Sequence, residues 1–383
     1  MDTAQIVRVE WGRLEGQRPR LAGANARLGV HGDRISLPLA RLTADDGATG
    51  FGLCRIGAEQ AEGLLGAPLD SLFSLTEGVT EVGRPWEYPL WDLMGVRTGK
   101  PVYALTAAVT GAPEPGTQRV PCYDTSLYFD DLHLPTTEAA AQLIAHEARA
   151  GYALGHRAFK IKVGRGGRHL PLAEGTARDI AIIRAVREAV GPDCPLMIDA
   201  NNGYNLNLTK QVLTETADCG IFWLEEAFHE DDVLYRDLKN WMTEQGLPTL
   251  IADGEGDASP RLLDWARGGL VDVIQYDIFG YGLTRWLHLG KQLDDWGVRS
   301  APHHYGAIFG NYVCCHLASA IKNFTFAEWD EAATPGLDGS GYVIENGKVH
   351  VPETPGFGLT LDEPIFRQAV ETTGGIRQLG AKS

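Results

Sequence analysis

The chain has 383 residues, more than one ordinary compact domain needs, and its 44% apolar content supplies a large core. A formal net charge of −16 repels phosphate backbones and anionic lipid, so neither nucleic acid nor a membrane surface is an expected partner. Any anionic substrate would need locally placed positive charge. Cys54, Cys122, Cys194, Cys219, Cys314 and Cys315 lack CxxC spacing and read as the reduced thiols of a cytoplasmic protein.

The N-terminal Met1-Asp2-Thr3-Ala4-Gln5 carries an acid where a secretory signal is basic. No run of about 20 apolar residues follows it that could span a bilayer. Residues 6–13, 35–42 and 50–56 alternate apolar and polar side chains, which predicts a small antiparallel sheet. Between the first two, residues 21–34 contain Gly23, Gly29 and Gly32 without periodicity and predict a long loop. Helical spacing over 58–72 and 86–94 completes an α+β module spanning residues 1–117.

After the Gly111-Ala112-Pro113-Glu114-Pro115-Gly116 break the rhythm changes, and from 118 to 345 short apolar strands alternate with helical segments. The predicted strands lie near 120–126, 158–163, 196–201, 222–227, 249–255, 272–277, 299–303 and 324–329. Eight strands settling at about 25-residue spacing predict a (β/α)8 barrel of TIM type. A doubly wound sheet would carry a glycine fingerprint after its first strand; none follows 120–126, and Gly164-Arg165-Gly166-Gly167 lacks GxGxxG spacing. The tail, 346–383, is expected to pack back on the first module.

Barrel enzymes place their chemistry at the C-terminal ends of the strands, so the polar residues there carry the functional reading. In Phe159-Lys160-Ile161-Lys162-Val163 the two lysines share one face, which points into the barrel if the apolar face meets the helices. Asp199 with Asn201, then Glu225-Glu226, then Asp253 with Glu255, close the next three strands. Each acid alone reads as a cap, a surface partner or a turn residue. Together, carboxylates on three consecutive strand ends suit a hard divalent cation such as magnesium, with manganese as substitute. Asp277 on the sixth strand can orient and charge His303 on the seventh, and Glu328 on the eighth reaches the same rim.

This constellation resembles the enolase superfamily, in its mandelate racemase and acid-sugar dehydratase branch, over nearly the whole chain. The resemblance is carried by Lys160-Ile161-Lys162, Asp199-Ala200-Asn201, Leu224-Glu225-Glu226, Gly254-Glu255, Asp277 and Pro302-His303. It implies an N-terminal capping domain over a modified barrel, with the 21–34 loop helping to close the site. It implies one Mg2+ on Asp199, Glu225 and Glu255, a base at Lys162 assisted by Lys160, a second base or acid at His303 paired with Asp277, and a substrate-carboxylate contact from Glu328. Ala227 stands where many relatives have proline, and Asp253 is an additional carboxylate that could compete as ligand. Symmetric homo-oligomers are common among such relatives.

The expected substrate is a small carboxylate whose α-proton is removed to give an enediolate, with Lys162 a neutral amine whose pKa is lowered by Lys160 and the metal. Dehydration of an aldonate or aldarate to a 2-keto-3-deoxy acid is the expected outcome, and racemisation or epimerisation the alternative. A Schiff-base aldolase, using one desolvated lysine, and a catalytically silent binding protein are more distant readings. Asn201 at the rim, and Arg27, His31, Trp86 and Tyr88 in the capping module, are the candidate substrate contacts.

Overall fold

In the computed structural model, which describes residues 4–113 and 115–380, apolar alternation places β1 (Ile6–Ala22), β2 (Gly32–Ala44) and β3 (Thr49–Leu53) in one antiparallel sheet. Met1-Asp2-Thr3, Glu114 of the predicted break and residues 381–383 of the tail lie outside the described residues. β1 and β2 pair from Ile6–Ala44 to Gln17–Arg34 and again at Ala22–Gly32. The expected loop over 21–34 is therefore shorter, because its two ends are strand. The irregularity between Gln17 and Ala22 contains Pro19, which has no N–H to give to a ladder.

The predicted helix over 58–72 is two pieces, Ala58–Leu64 and Leu69–Leu72, separated by Gly66 at φ +80° and by Pro68. The second predicted helix runs on to Thr98 as Glu87–Thr98, and an unpredicted helix, Val102–Thr110, follows. Val102 to Ala107 are all buried, so this helix has no polar stripe for periodicity to detect.

The barrel strands are β4 (Arg119–Leu127), β5 (Phe159–Lys162), β6 (Leu196–Asp199), β7 (Ile221–Glu225), β8 (Leu250–Asp253), β9 (Val273–Ile274), β10 (Arg299–Ser300) and β11 (Ala327–Trp329). β4 to β10 lie parallel in chain order, β11 pairs with β4, and a Ser300–Phe324 bridge closes the ring. All eight predicted positions hold a strand. Several end before their predicted polar residues, which have left the ladder to enter the loops. Tyr123, Met197, Trp223, Ala252, Val273 and Ala301 fill the barrel interior, while the larger apolar cluster lies between strands and helices.

An antiparallel hairpin, Val343–Glu345 with Lys348–His350, flanks β4. The chain then returns to the cap, where helix Glu363–Thr373 packs on β1 and strand Ile376–Gln378 pairs with it. Among the described residues no helix is long and apolar enough to cross a membrane, and all six cysteines are buried and free.

His316 joins the two modules. Its Nδ1 accepts the Tyr103 N–H at 3.0 Å, and its Nε2 lies 2.6 Å from the Tyr342 hydroxyl. Burial drives its pKa down to about 3, against a weaker pull from the Phe357 carbonyl. A histidine depressed on folding contributes stability that is full above its unfolded pKa of ~6.5 and is lost as pH falls toward 3. From this group alone, unfolding free energy should drop by about 2 kcal/mol between pH 7 and pH 5. Urea midpoints compared with His316→Gln would check this; equal pH slopes in both proteins would refute it.

Candidate active site

Strand register decides which side chains meet. Lys162 lies opposite Asp199, and Asp199 opposite Glu225, so parallel pairing sets three charged residues side by side at one level of the rim. Lys160, one pleat lower on the same face, reaches Glu225 Oε1 at 2.7 Å, Glu328 Oε1 at 3.4 Å and Asp199 Oδ2 at 3.5 Å. Lys162 Nζ donates to Asp199 Oδ2. Both lysines are buried, on the inward face that the alternation predicts.

Glu225 also accepts from Trp223 Nε1 at 3.0 Å and Gln275 Nε2 at 2.9 Å. Gln275 was visible in sequence as a strand residue but had no motif to mark it. Asn201, at φ +41°, turns its amide to Glu226 Oε2 at 2.9 Å and Glu255 Oε1 at 3.1 Å. Glu226 is likewise left-handed at φ +42°, and such strain in non-glycine residues is typical of functional turns. Ala227, in place of the relatives' proline, still closes this turn, its carbonyl accepting the Tyr204 N–H at 3.1 Å.

Asp199, Glu225 and Glu255 each offer an oxygen within 4.8 Å of the others. Asp253 does not join them. Gly254, at φ +129°, interrupts the strand alternation, and Asp253 accepts instead from the Tyr235 hydroxyl and the Gly254 N–H. Glu255 Oε2 is buried without a hydrogen-bond partner, although His303 Nε2 lies 3.1 Å away.

Burial alone raises a carboxyl pKa, yet Lys162 and Lys160 hold Asp199 down to about 2. For Glu225, burial and the Asp199 charge prevail and push it up to about 7. Burial together with Glu255 and Asp199 pushes Glu226 up to about 10. The site thus carries more negative charge than its own cations balance. A hard, oxygen-seeking divalent cation fits both that surplus and the all-oxygen donor set.

Across the rim, His303 Nδ1 meets Asp277 Oδ1 at 2.5 Å. Burial disfavours its charge, but Glu255, Glu328 and Asp277 outweigh burial and lift the imidazole to about 10. Among the protein charges, His303 therefore favours the imidazolium form. Around Lys162, burial and Lys160 lower the pKa while Asp199, Glu255 and Glu225 raise it, so among the protein charges alone the net direction is upward. Glu328 accepts from Thr125 Oγ1 at 2.7 Å and the His304 N–H at 2.8 Å. Despite its burial, Lys160 and His303 keep its pKa well below the ordinary value. It lies between two cations, with Lys160 Nζ 3.4 Å and His303 Nε2 3.9 Å away.

A cavity of about 480 Å³ opens over this array, lined by Lys162, Glu255, Asp277 and His303 from the barrel and by Arg27 and His31 from the cap. Arg27 lies 4.0 Å from Glu226 and Glu255. Trp86 and Tyr88 do not reach it. Trp86 is buried in the core, and Tyr88, in a helix buried from Glu87 to Gly95, donates to the Ile278 carbonyl at 2.6 Å and packs on Phe279 and Phe309. Arg18, Tyr128 and Tyr305 also line the cavity and were not singled out in sequence. Tyr305, two residues beyond His303, offered the one positional signal.

The enolase C-terminal domain-like family matches residues 143–365. The chain belongs to the enolase superfamily, in its mandelate racemase and acid-sugar dehydratase branch. It is 50% identical, with a TM-score of 0.92, to a galacturonate dehydratase from a Geobacillus species complexed with D-galacturonate and 5-keto-4-deoxy-D-galacturonate, over 97% of this chain and 98% of that one. A mandelate racemase/muconate lactonizing protein from Geobacillus sp. Y412MC10, complexed with magnesium and tartrate, is also 50% identical, with a TM-score of 0.96 over 99% and 98%. The arabinonate dehydratase of Saccharolobus solfataricus is 26% identical over 73% of this chain and 69% of its own length.

Magnesium chloride at a hundredfold its Kd should stabilise the fold by about 2.7 kcal/mol, read as a rise in thermal midpoint. Glu255→Gln should lose most of that rise. Equal rises in both proteins would remove Glu255 from the metal site.

Proposed function

We propose that the protein is a magnesium-dependent sugar-acid dehydratase acting on a hexuronate of the D-galacturonate type. The observation that carries this reading is the pairing, around one cavity, of Lys162 and the His303–Asp277 dyad above an all-oxygen triad. The galacturonate dehydratase relative supports the uronate in place of the aldonate or aldarate expected from sequence.

Asp199, Glu225 and Glu255 would hold the ion, which would supply positive charge against the negative charge that develops as the α-proton leaves. Lys162, a neutral amine once a bound ion offsets the charges of Asp199, Glu225 and Glu255 that raise it, would take that proton from C5, the carbon next to the carboxylate, and Lys160 adds fixed positive charge beside it. His303, already protonated, gives its proton to the C4 hydroxyl, which departs as water. The resulting enol becomes a ketone, and the products are 5-keto-4-deoxy-uronate and one water. Asp277 orients the imidazolium. The reading extends to a cytoplasmic homo-oligomer, for which six free, buried thiols suit a reducing compartment.

Epimerisation is the second reading, since a lysine on β5 and a histidine after β10 can address opposite faces of a carbon. It would exchange the α-proton without releasing water. Incubation of D-galacturonate with enzyme and magnesium, with semicarbazide detection of the keto product, separates the two. Lys162→Ala and His303→Asn should each cost about 10²–10⁴ in turnover, the usual range for a proton-transfer group. Failure to form any keto acid from uronates, aldonates or aldarates would defeat dehydration.

A further inference from the structure

One wall of the cavity is a continuous stack that the mechanism above does not use. The Arg18 guanidinium lies 4.6 Å over the Tyr305 ring. Tyr305 stacks on Tyr128 at 4.8 Å with an interplanar angle of 27°. The Lys162 ammonium sits 5.2 Å from the Tyr128 ring centre. Two tyrosines thus separate a cation of the cap from the proposed base. His31 closes the side of the stack, its ring edge-on to both tyrosines and its Nδ1 held by the Gly23 carbonyl at 2.8 Å.

Arg18 is held rigidly, with Nε 3.1 Å from Asp330 Oδ1 and Nη2 2.8 Å from Oδ2. Asp330 is fixed in turn by Asn311, whose amide donates to its carbonyl at 3.0 Å and accepts its N–H at 3.1 Å. Two polar atoms of this wall remain unused. The Asp330 pair engages Arg18 through Nε and Nη2 and leaves Nη1 outside it, and the buried Tyr305 hydroxyl faces no protein group but the Tyr128 side chain. Both residues line the cavity. A buried hydroxyl so poorly satisfied by the protein is rare and points to an absent ligand atom.

We infer that Arg18 and Tyr305 bind the substrate oxygens farthest from the carboxylate and so determine which sugar acids the cavity accepts. This rests on the sugar-acid reading above. Asp330 cancels the charge of Arg18, so the pair offers directed donors without net charge. That suits hydroxyl or aldehyde oxygens and disfavours a second carboxylate, which would select uronates over diacids of the same length.

The test compares D-galacturonate as substrate with glycerate, which has the carboxylate, α-carbon and β-hydroxyl but no distal oxygens, as competitive inhibitor in the same assay. Arg18→Met should raise KM for D-galacturonate about 10- to 100-fold, and Tyr305→Phe about 3- to 10-fold, the usual cost of a lost charged and a lost neutral hydrogen bond. The glycerate Ki should stay within about twofold in both. Arg18→Met leaves Asp330 buried without its partner, so Tyr305→Phe, which keeps the ring stack, carries the test if the first variant does not fold. Asp330→Asn, which uncovers the charge of Arg18, should shift preference about tenfold toward galactarate. Equal losses for D-galacturonate and glycerate, or none for either, would overturn the assignment. Wild-type enzyme that binds glycerate but ignores every longer sugar acid would instead defeat the substrate reading.

Discussion

Removing ionised side chains from water is costly, and the fold of this protein is arranged around repaying that cost at the rim of the barrel. Lys160 and Lys162 are buried, and they lie against Asp199, Glu225 and Glu328, which are buried too. Deleting one partner of such a pair typically costs about 3–5 kcal/mol, because the other charge stays buried and unpaired. Every neighbouring strand is therefore constrained to deliver its carboxylate to one level. The same array remains over-supplied with negative charge, as the raised Glu225 and Glu226 show. A site that is stable but incompletely neutralised is prepared for a divalent cation and an anionic substrate.

The capping module depends on the barrel for its shape. Arg168 donates to the Arg27 carbonyl, and His169 lies 2.8 Å from the Asn25 carbonyl, so the loop after β5 staples the cap loop over the cavity. Ala26 packs where a side chain at Gly203 would stand, its Cβ only 2.5 Å from that position, which requires glycine there. Beneath it Arg165 bonds both Asp131 and Asp179, and Asp179 caps the Gly164 N–H at 2.7 Å. These bonds make the roof of the cavity an extension of the loops that follow Lys162 and carry Asn201. Specificity and chemistry therefore share one scaffold.

Much of this was legible in order along the chain. Strand alternation placed Lys160 and Lys162 on one face, and the spacing of Asp199, Glu225, Glu255, Asp277, His303 and Glu328 put each at a successive strand end. Those are one-dimensional signals, because a parallel barrel repeats one unit and its rim is read off at regular intervals. The helix Val102–Thr110 escaped because burial on all sides leaves no periodicity. Whether Asp253 joins the triad was not legible, because Gly254, at φ +129°, ends the alternation that would set it on the face of Glu255.

What the sequence by itself determined was the barrel, the cap and the set of charged groups, since these follow from local pattern and chemical type. What only the tertiary structure decided was their mutual balance: which carboxylates face His303, which cations face Glu328, and how many carboxylates stand against Lys160 around Lys162. Proton affinities depend on distances of a few ångströms between residues far apart in the chain, and on burial, neither of which a linear pattern encodes. The Arg18–Tyr305–Tyr128 wall is of the same kind. Its members come from three separate segments, and only folding brings them against the proposed base.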